Sequence, residues 1–176
     1  MKDSCQNHSV ILWFFDLKGF YLMKYEVDIE VKNQQNLKFA EKDFLKNDSE
    51  GFFYIKDNIY YLIYKDYSEG IKGARTTLKI DPVEKRILLL RSDPAEMKQI
   101  FSIGEKTKGF YKVEGKKLKL EVDTKNIQIE LSKFQGKIQV EYDLYLMGEM
   151  IGKSNLEINY TKKGAEENDS EYDGKC

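Results

Sequence analysis

The sequence is short of the residues that build zinc centres, disulfide frameworks and cysteine-based active sites. Its 176 residues include two cysteines, Cys5 and Cys176, and one histidine, His8. Residues 9–175 contain neither side chain, and zinc sites and Cys–His catalytic pairs are built mainly from these two. We therefore expect no metal site, no cofactor and no disulfide framework. A chain of this kind suits the reducing cytoplasm.

Proline and basic charge are also in short supply. The two prolines, Pro82 and Pro94, fall in predicted connections, so the strand interiors keep their backbone donors. The formal net charge is -1, and basic and acidic side chains nearly balance within residues 23–160. A nearly neutral body is a poor match for a phosphate backbone or an anionic lipid surface. We therefore expect neither nucleic acid nor a membrane as a partner.

The two ends of the sequence lack the pattern of the middle. The apolar run at residues 10–15 is too short for a membrane span, which needs about 20 residues. It also lacks the flanks of a signal peptide. Residues 1–22 are then a packed helix or strand, a disordered segment or a mis-annotated start. We favour the last, because the first periodic strand begins at Met23. The domain is expected to cover residues 23–163, followed by a disordered acidic tail at 164–176.

What the sequence does contain is a two-residue alternation of apolar and polar side chains. It is clearest in residues 24–32, 126–131 and 137–147. Successive side chains of a strand point to opposite faces, so this alternation predicts a sheet with one buried and one solvated face. Short turn-forming connections predict hairpins between neighbouring strands. We predict an all-β antiparallel meander, closed into a barrel because closure removes the exposed sheet edges.

Some boundaries within this pattern are less regular. Residues 116–122 and 126–131 are predicted as two strands that are separated by a turn at residues 123–125. Residues 38–46 and 51–56 are likewise predicted as separate strands. Helical turns are weak alternatives for two other segments, residues 34–46 and 94–103.

Arginine is rare, which makes Arg91 a residue of interest. It follows the apolar run Ile87–Leu90. If Ile87 and Leu89 face the interior, Arg91 faces it too, and it then needs an anionic partner because an unpaired buried charge is very costly. If Leu88 and Leu90 face the interior, Arg91 is an ordinary surface residue. The sequence alone leaves both registers open.

The order of several strand and turn signals resembles that of a known family. The signals are Tyr60–Tyr64, Thr76–Ile80, Leu89–Arg91, Met97, Phe101, Gly104, Tyr111, Gly115, Thr124, Tyr142–Leu144 and Asn155–Ile158. Together they resemble the YwiB-like family of uncharacterised bacterial proteins, a domain of unknown function, over roughly residues 23–163. The resemblance implies a calycin-like (lipocalin-like) β-barrel. It implies no established activity, substrate or cofactor.

Three classes of function remain open at this stage. A calycin-like barrel would hold a small, mostly apolar ligand, and Tyr64, Arg91, Tyr111 and Tyr142 are the candidate lining residues. Alternatively, the barrel is filled by its own side chains and the protein is a structural or interaction module, with a protein partner or as a homodimer. An enzyme that uses Asp, Glu, Lys or Tyr is the third class. We do not expect it, because nothing marks a nucleophile, and we assign no catalytic residue.

Overall fold

The computed structural model describes residues 14–15, 21–22, 24–38, 43–68, 71 and 73–164. The predicted leader, residues 1–22, lies outside the described residues apart from Phe14–Phe15 and Tyr21–Leu22, and the predicted acidic tail lies outside them from residue 165 onward. Within the described ranges the regular structure consists of β-strands. The same ranges contain no helix with the length and hydropathy needed to cross a membrane.

Two short strands, β1 (Phe14–Phe15) and β2 (Tyr21–Leu22), pair antiparallel with each other. The barrel is built from ten further strands. These are β3 (Lys24–Leu37), β4 (Asp43–Lys56), β5 (Ile59–Asp66), β6 (Ala74–Asp81), β7 (Arg86–Arg91), β8 (Ala95–Ser102), β9 (Lys106–Val113), β10 (Lys116–Leu131), β11 (Gln135–Leu146) and β12 (Glu149–Lys162).

The ten strands form a closed antiparallel meander. Each strand pairs with the next along the chain, and β12 pairs with β3, where Ile158 lies opposite Val31 and Tyr160 opposite Ile29. The predicted closed barrel is therefore confirmed. Since the strands of a closed barrel tilt against its axis, residues far apart in the sequence reach the same level of the interior.

Strand β10 corrects the predicted turn at residues 123–125. The chain continues as one strand, and the pairing with β11 shifts register between Thr124 and Asn126. Lys125 is the extra residue of this β-bulge, and its Nζ lies 2.6 Å from Asp123 and 3.4 Å from Asp143. A bulge reverses which residues face inward. Val122 and Thr124 are buried before it, and Ile127 is buried after it.

Two other segments also differ from the sequence interpretation. Residues 43–56 form the single strand β4, so the predicted division between residues 46 and 51 is wrong. Neither alternative helical turn is present where the chain is described: residues 34–37 belong to β3 and residues 95–102 to β8. In β4 the inward positions include Asn47, Ser49 and Gly51, so the apolar alternation that would mark one continuous strand is interrupted.

The interior is apolar at the end where β4 turns into β5 and β10 into β11. The Phe53 and Tyr160 rings stack there with their centroids 4.5 Å apart. Gly136 leaves room for them, because a Cβ at this position would overlap the Tyr160 ring. We call this region the apolar end, and its fully buried members are Val27, Phe53, Leu62, Leu78, Ile80, Ile87, Phe101 and Tyr160.

Candidate functional site

The register of β7 decides between the two orientations of Arg91. Ile87 and Leu89 are 1% and 5% exposed, whereas Leu90 is 39% exposed. Arg91 shares their face and lies opposite Thr76 of β6, which is fully buried. The arginine therefore points into the barrel at the end of its strand.

Asp66 is the anionic partner that an inward arginine requires. Its Oδ2 accepts a hydrogen bond from Nη2 of Arg91 at 2.8 Å, and the two side chains are 4% and 12% exposed. The Asp66 Oδ1 accepts two more, from the backbone N–H of Ser68 at 3.0 Å and from its hydroxyl at 2.6 Å. The Nε of Arg91 donates to Thr76 at 3.2 Å. The carboxylate thus accepts three hydrogen bonds and fixes the guanidinium in place.

Other inward polar side chains reach the same level from the opposite wall. Ser154 of β12 donates to Oδ1 of Asn33 on β3 at 3.0 Å, and Tyr142 of β11 lies opposite Ser154. The tilt of the strands brings these groups level with the Arg91–Asp66 pair. We call this region the polar layer, and its members are Asn33, Asn47, Tyr64, Asp66, Thr76, Arg91, Tyr142 and Ser154.

Two tyrosines of the polar layer keep their protons. Burial raises the pKa of Tyr64 well above its usual range, and the charge of Arg91 acts in the opposite direction but does not prevail. Burial also raises the pKa of Tyr142, against the smaller effects of Ser154 and Arg91. Both hydroxyls are therefore neutral groups that can donate a hydrogen bond. Gly51 makes room beside Tyr64, since a Cβ there would lie 3.0 Å from the Tyr64 Cβ.

One buried donor in the polar layer has no partner among the described residues. This is Nδ2 of Asn47, a residue that is 8% exposed. The Arg91 side chain makes its hydrogen bonds to described residues through Nε and Nη2, and it is 12% exposed. A buried polar atom without a partner is uncommon and calls for an explanation. The region offers more hydrogen-bond donors than its own acceptors take up.

One buried acceptor is unpaired as well. Gln99 is fully buried, and its Nε2 donates to the Thr107 hydroxyl at 3.0 Å and to the Ile100 carbonyl at 2.8 Å. Its Oε1 has no partner within the described ranges and lies against Gly109, where a Cβ would collide with it. Gln99 is therefore held by its own strand pair, and its free oxygen is confined against the wall.

A ring of half-buried apolar side chains lies beyond the polar layer, toward the ends of β3, β7, β9 and β11. Each of these residues has the inward orientation on its strand. Met97 lies opposite Arg91, Tyr111 opposite Met97, and Leu118 opposite Tyr111. We call this ring the lip, and its members are Leu37, Leu45, Met97, Tyr111, Leu118 and Leu146. The polar layer thus lies between the apolar lip and the apolar end.

The outer surface offers a different kind of cavity. A depression of about 500 Å³ lies across β11, β12 and β3, where Asp143, Lys153 and Asn36 are neighbours. These three side chains face away from the interior, and the depression is open to solvent. Tyr142 and Ser154 of the polar layer also line it. The described ranges hold no group of three or more His, Cys, Asp or Glu side chains suited to a metal ion.

The structure brings the four sequence-predicted lining residues to one end of the barrel. Tyr64, Arg91 and Tyr142 lie in the polar layer, and Tyr111 lies in the lip. Whether they bind a ligand stays a prediction. Sequence reasoning missed Asp66 and Asn47. Side chains alternate between inward and outward positions over residues 60–66, and Asp66 takes an inward position at the end of this segment. That position is the one sequence feature that could have identified Asp66, and no such feature identifies Asn47.

The comparisons with known proteins agree on the family. The model of a family described as "Domain of unknown function (DUF1934)" matches residues 29–158. The "Uncharacterized beta-barrel protein YwiB" of Bacillus subtilis (strain 168) is 35% identical over 111 residues, which are 62% of this chain and 75% of that protein. The crystal structure of the YwiB protein from Bacillus subtilis has a TM-score of 0.70 and 27% identity, and the match covers 79% of this chain and 92% of that one. The resemblance to the YwiB-like family is confirmed.

Proposed function

We propose that this chain, which belongs to the DUF1934 family, is a binding module that takes one small, mostly apolar ligand into the lip of its barrel. The observation that carries the proposal is the inward Arg91, which is held by Asp66 beneath a ring of half-buried apolar side chains. The ligand's apolar body would lie against the lip, and its polar end would reach the polar layer. Tyr64, Tyr111 and Tyr142 would contact it.

Two physical arguments support this proposal. Ligand sites are typically apolar hollows with a few convergent polar groups, and the lip and the polar layer together have this composition. Lipocalin-type barrels hold one small ligand in their mouth, so the calycin-like interpretation of the fold points the same way, as an analogy. The buried Nδ2 of Asn47, which has no partner among the described residues, gives such a ligand a donor to bind.

Titration with decan-1-ol tests the proposal. Isothermal titration calorimetry should show one bound molecule per chain. Met97→Trp places a large ring in the lip and should abolish this binding. Ile100→Trp, on the outward face of the same strand, is the matched control and should bind as the unchanged protein does. Absence of saturable binding, or equal loss in both variants, would contradict the proposal.

We also propose that the protein acts in the cytoplasm. The support is the lack of cysteine between residues 6 and 175, which leaves the barrel without disulfides. Fractionation of the native cells, with cytoplasmic and exported marker proteins, checks this location. Recovery with the exported marker would contradict it.

A second candidate function, protein interaction, is favoured by the outer wall formed by β4 to β9. Its outward apolar side chains lie in adjacent rows across the strands and comprise Phe52, Tyr54, Tyr61, Ile63, Leu88, Leu90, Ile100 and Phe110. Basic side chains lie among and beside them: Lys79 between Tyr61 and Leu88, Lys98 between Leu90 and Phe110, and Arg75 and Lys108 at neighbouring outward positions. A protein that presents apolar and acidic side chains together would complement this wall.

This second candidate is tested by co-purification from the native cells. A specific partner should be lost with Ile63→Glu and Leu90→Glu, and its sequence should show an acidic surface. The Met97→Trp variant should retain it. Recovery of the same partner with all three variants would rule out this wall as the contact surface.

A further inference from the structure

The outer wall carries an excess of positive charge that the balanced composition of the chain conceals. On strands β5 to β9 the outward side chains include eight cations and two acids, Asp81 and Glu96. Three of the cations lie near acidic groups, and these are Arg86, Lys106 and Lys112. The other five form no ion pair with a described residue, and they are Lys65, Arg75, Lys79, Lys98 and Lys108.

The opposite wall, formed by β3, β11 and β12, balances more of its charge internally. There the Nζ of Lys32 lies 2.6 Å from Glu30, and the Nζ of Lys137 lies 3.1 Å from Glu157. On the outer wall, by contrast, Lys65 lies directly opposite Arg75 on the neighbouring strand. Like charges in this position destabilise a sheet, so an anion that lies over them would remove a repulsion.

The chain itself supplies such an anion at the edge of the outer wall. Residues 165–176 contain five acidic side chains and one lysine. The chain leaves the barrel at Lys163, which lines a surface depression of about 520 Å³ together with Phe52, Lys65 and Arg75. The acidic tail therefore begins beside the two cations that repel each other.

We propose that residues 165–176 of the acidic tail occupy the outer wall of the same chain, with their carboxylates over Lys65, Arg75 and Lys79. Twelve residues reach up to about 40 Å when extended, whereas five adjacent strands span about 20 Å. A contact driven by charge needs no regular secondary structure, so it agrees with the disorder expected from the sequence.

Attachment at the edge of the wall makes a weak contact sufficient. A short flexible connection gives the tail an effective concentration on the order of millimolar at the wall. A contact with a Kd of about 1 mM is then occupied for about half of the time. An acidic protein partner must displace the tail before it reaches the wall. This last consequence rests on the second candidate function, whereas the contact itself does not.

A nitroxide spin label on Cys176 tests the contact. Cys5→Ser leaves Cys176 as the one thiol of the chain. Because the tethered contact is occupied for about half of the time, the label should broaden the amide resonances of Leu90 and Lys98 at least about threefold more than that of Gln139 on the opposite wall. At about 1 M salt, where the Debye length is about 3 Å, the difference should disappear.

Three variants identify the groups that make the contact. Arg75→Glu combined with Lys79→Glu reverses the charge of the wall and should remove the difference in broadening. Lys38→Glu combined with Lys153→Glu is the matched control and should retain it. Both control positions are exposed beside the opposite wall, and neither forms an ion pair with a described residue.

The third variant neutralises the tail and leaves the wall intact, so it does not depend on how the barrel tolerates substitution. It combines Glu166→Gln, Glu167→Gln and Asp169→Asn, and it should also remove the difference in broadening.

The outcomes separate this inference from the second candidate function. Equal broadening on both walls, or broadening that salt and the variants leave unchanged, would overturn the tail contact, and the wall would be open to a separate acidic protein. The same broadening in a mixture, with spin label and isotope label on separate chains, would assign the wall to a second copy and also overturn it. A tail contact that passes these tests without a co-purified partner would uphold the inference and contradict the second candidate function.

Discussion

The apolar end and the polar layer are built on the same strands but satisfy their side chains differently. At the apolar end even the one hydroxyl is paired, since Tyr160 donates to the Ser132 carbonyl at 2.6 Å. In the polar layer, an ion pair is buried and Asn47 Nδ2 has no partner among the residues that the structure describes. A sequence selected for stability alone would place apolar side chains at both levels. The difference indicates that the two levels contribute unequally to stability, and the polar layer is the one whose composition stability does not explain.

The cost of the polar layer explains why it lies next to the lip. Transferring an ion pair from water to a protein interior costs more than its Coulomb attraction returns unless further hydrogen bonds are made. Arg91 retains 12% exposure and Asp66 makes three hydrogen bonds, so the pair meets this condition near the end of the barrel. At the level of Phe53 the same pair would have neither water nor hydroxyl partners.

The largest expected effect is at the apolar end. Phe53→Ala removes a fully buried ring that stacks on Tyr160, and we expect a loss of about 3 to 5 kcal/mol in the free energy of unfolding. The matched control is Phe52→Ala, because Phe52 faces outward beneath Lys24 and should cost about 1 kcal/mol. Urea denaturation measures both. Equal losses would mean that the assigned inward and outward faces of β4 are wrong.

The next largest effect tests whether Arg91 and Asp66 stabilise the folded protein as an ion pair. Arg91→Met leaves the Asp66 carboxylate buried without its cation, and we expect a loss of about 3 kcal/mol. The double variant with Asp66→Asn should recover most of it, because no uncompensated charge remains. Arg86→Met is the control on the same strand: its side chain is 46% exposed and 3.5 Å from Glu105, so it should cost under about 1 kcal/mol.

A different result would remove the distinction between the two levels. If the double variant is as unstable as Arg91→Met, the ion pair is not the source of the loss, and the guanidinium stem is packed like a core side chain. The polar layer would then be a continuation of the apolar end. Circular dichroism of each variant at low temperature controls for loss of the barrel itself.

The alternation of side chains was sufficient to predict the strands, but not where one strand ends. In β10 the inward residues are Val122 and Thr124 before the bulge and Ile127 after it. The alternation therefore shifts by one residue, and this shift is visible in the sequence. Because Asp123 and Lys125 are typical of connections, the sequence predicts a turn here. A turn and a bulge both interrupt the alternation. Only the pairing of β11 along the whole segment distinguishes them.

The candidate site was predictable in part for a related reason. The orientation of Arg91 depends on whether Ile87 or Leu88 faces inward. Residues 87–90 are all apolar, so the sequence does not show which of them face inward. Its partner Asp66 lies 25 residues earlier, across β6, so no local pattern connects them. Asn47 reaches the same level through the tilt of the barrel. Contacts that depend on closure and tilt appear only when all ten strands are placed.

The smallest effect concerns the tyrosines at the two levels and their response to alkaline pH. Burial raises the pKa of Tyr64 and of Tyr160, so the folded protein keeps a phenolic proton that the unfolded chain releases above about pH 10. Stability is therefore complete below that pH and falls as the pH rises toward the folded pKa. Each such proton contributes about 1.4 kcal/mol per pH unit to this fall.

Tyr64→Phe and Tyr160→Phe should each reduce this alkaline slope by one proton, and the exposed Tyr67→Phe should leave it unchanged. Denaturation at a series of pH values between about 9 and 11.5 measures the slopes, around the usual tyrosine pKa. A reduced slope for Tyr160→Phe but not for Tyr64→Phe would mean that water reaches the polar layer and lets Tyr64 ionise in the folded state. The lip would then be an open, hydrated mouth, and a ligand that enters it would have to displace this water.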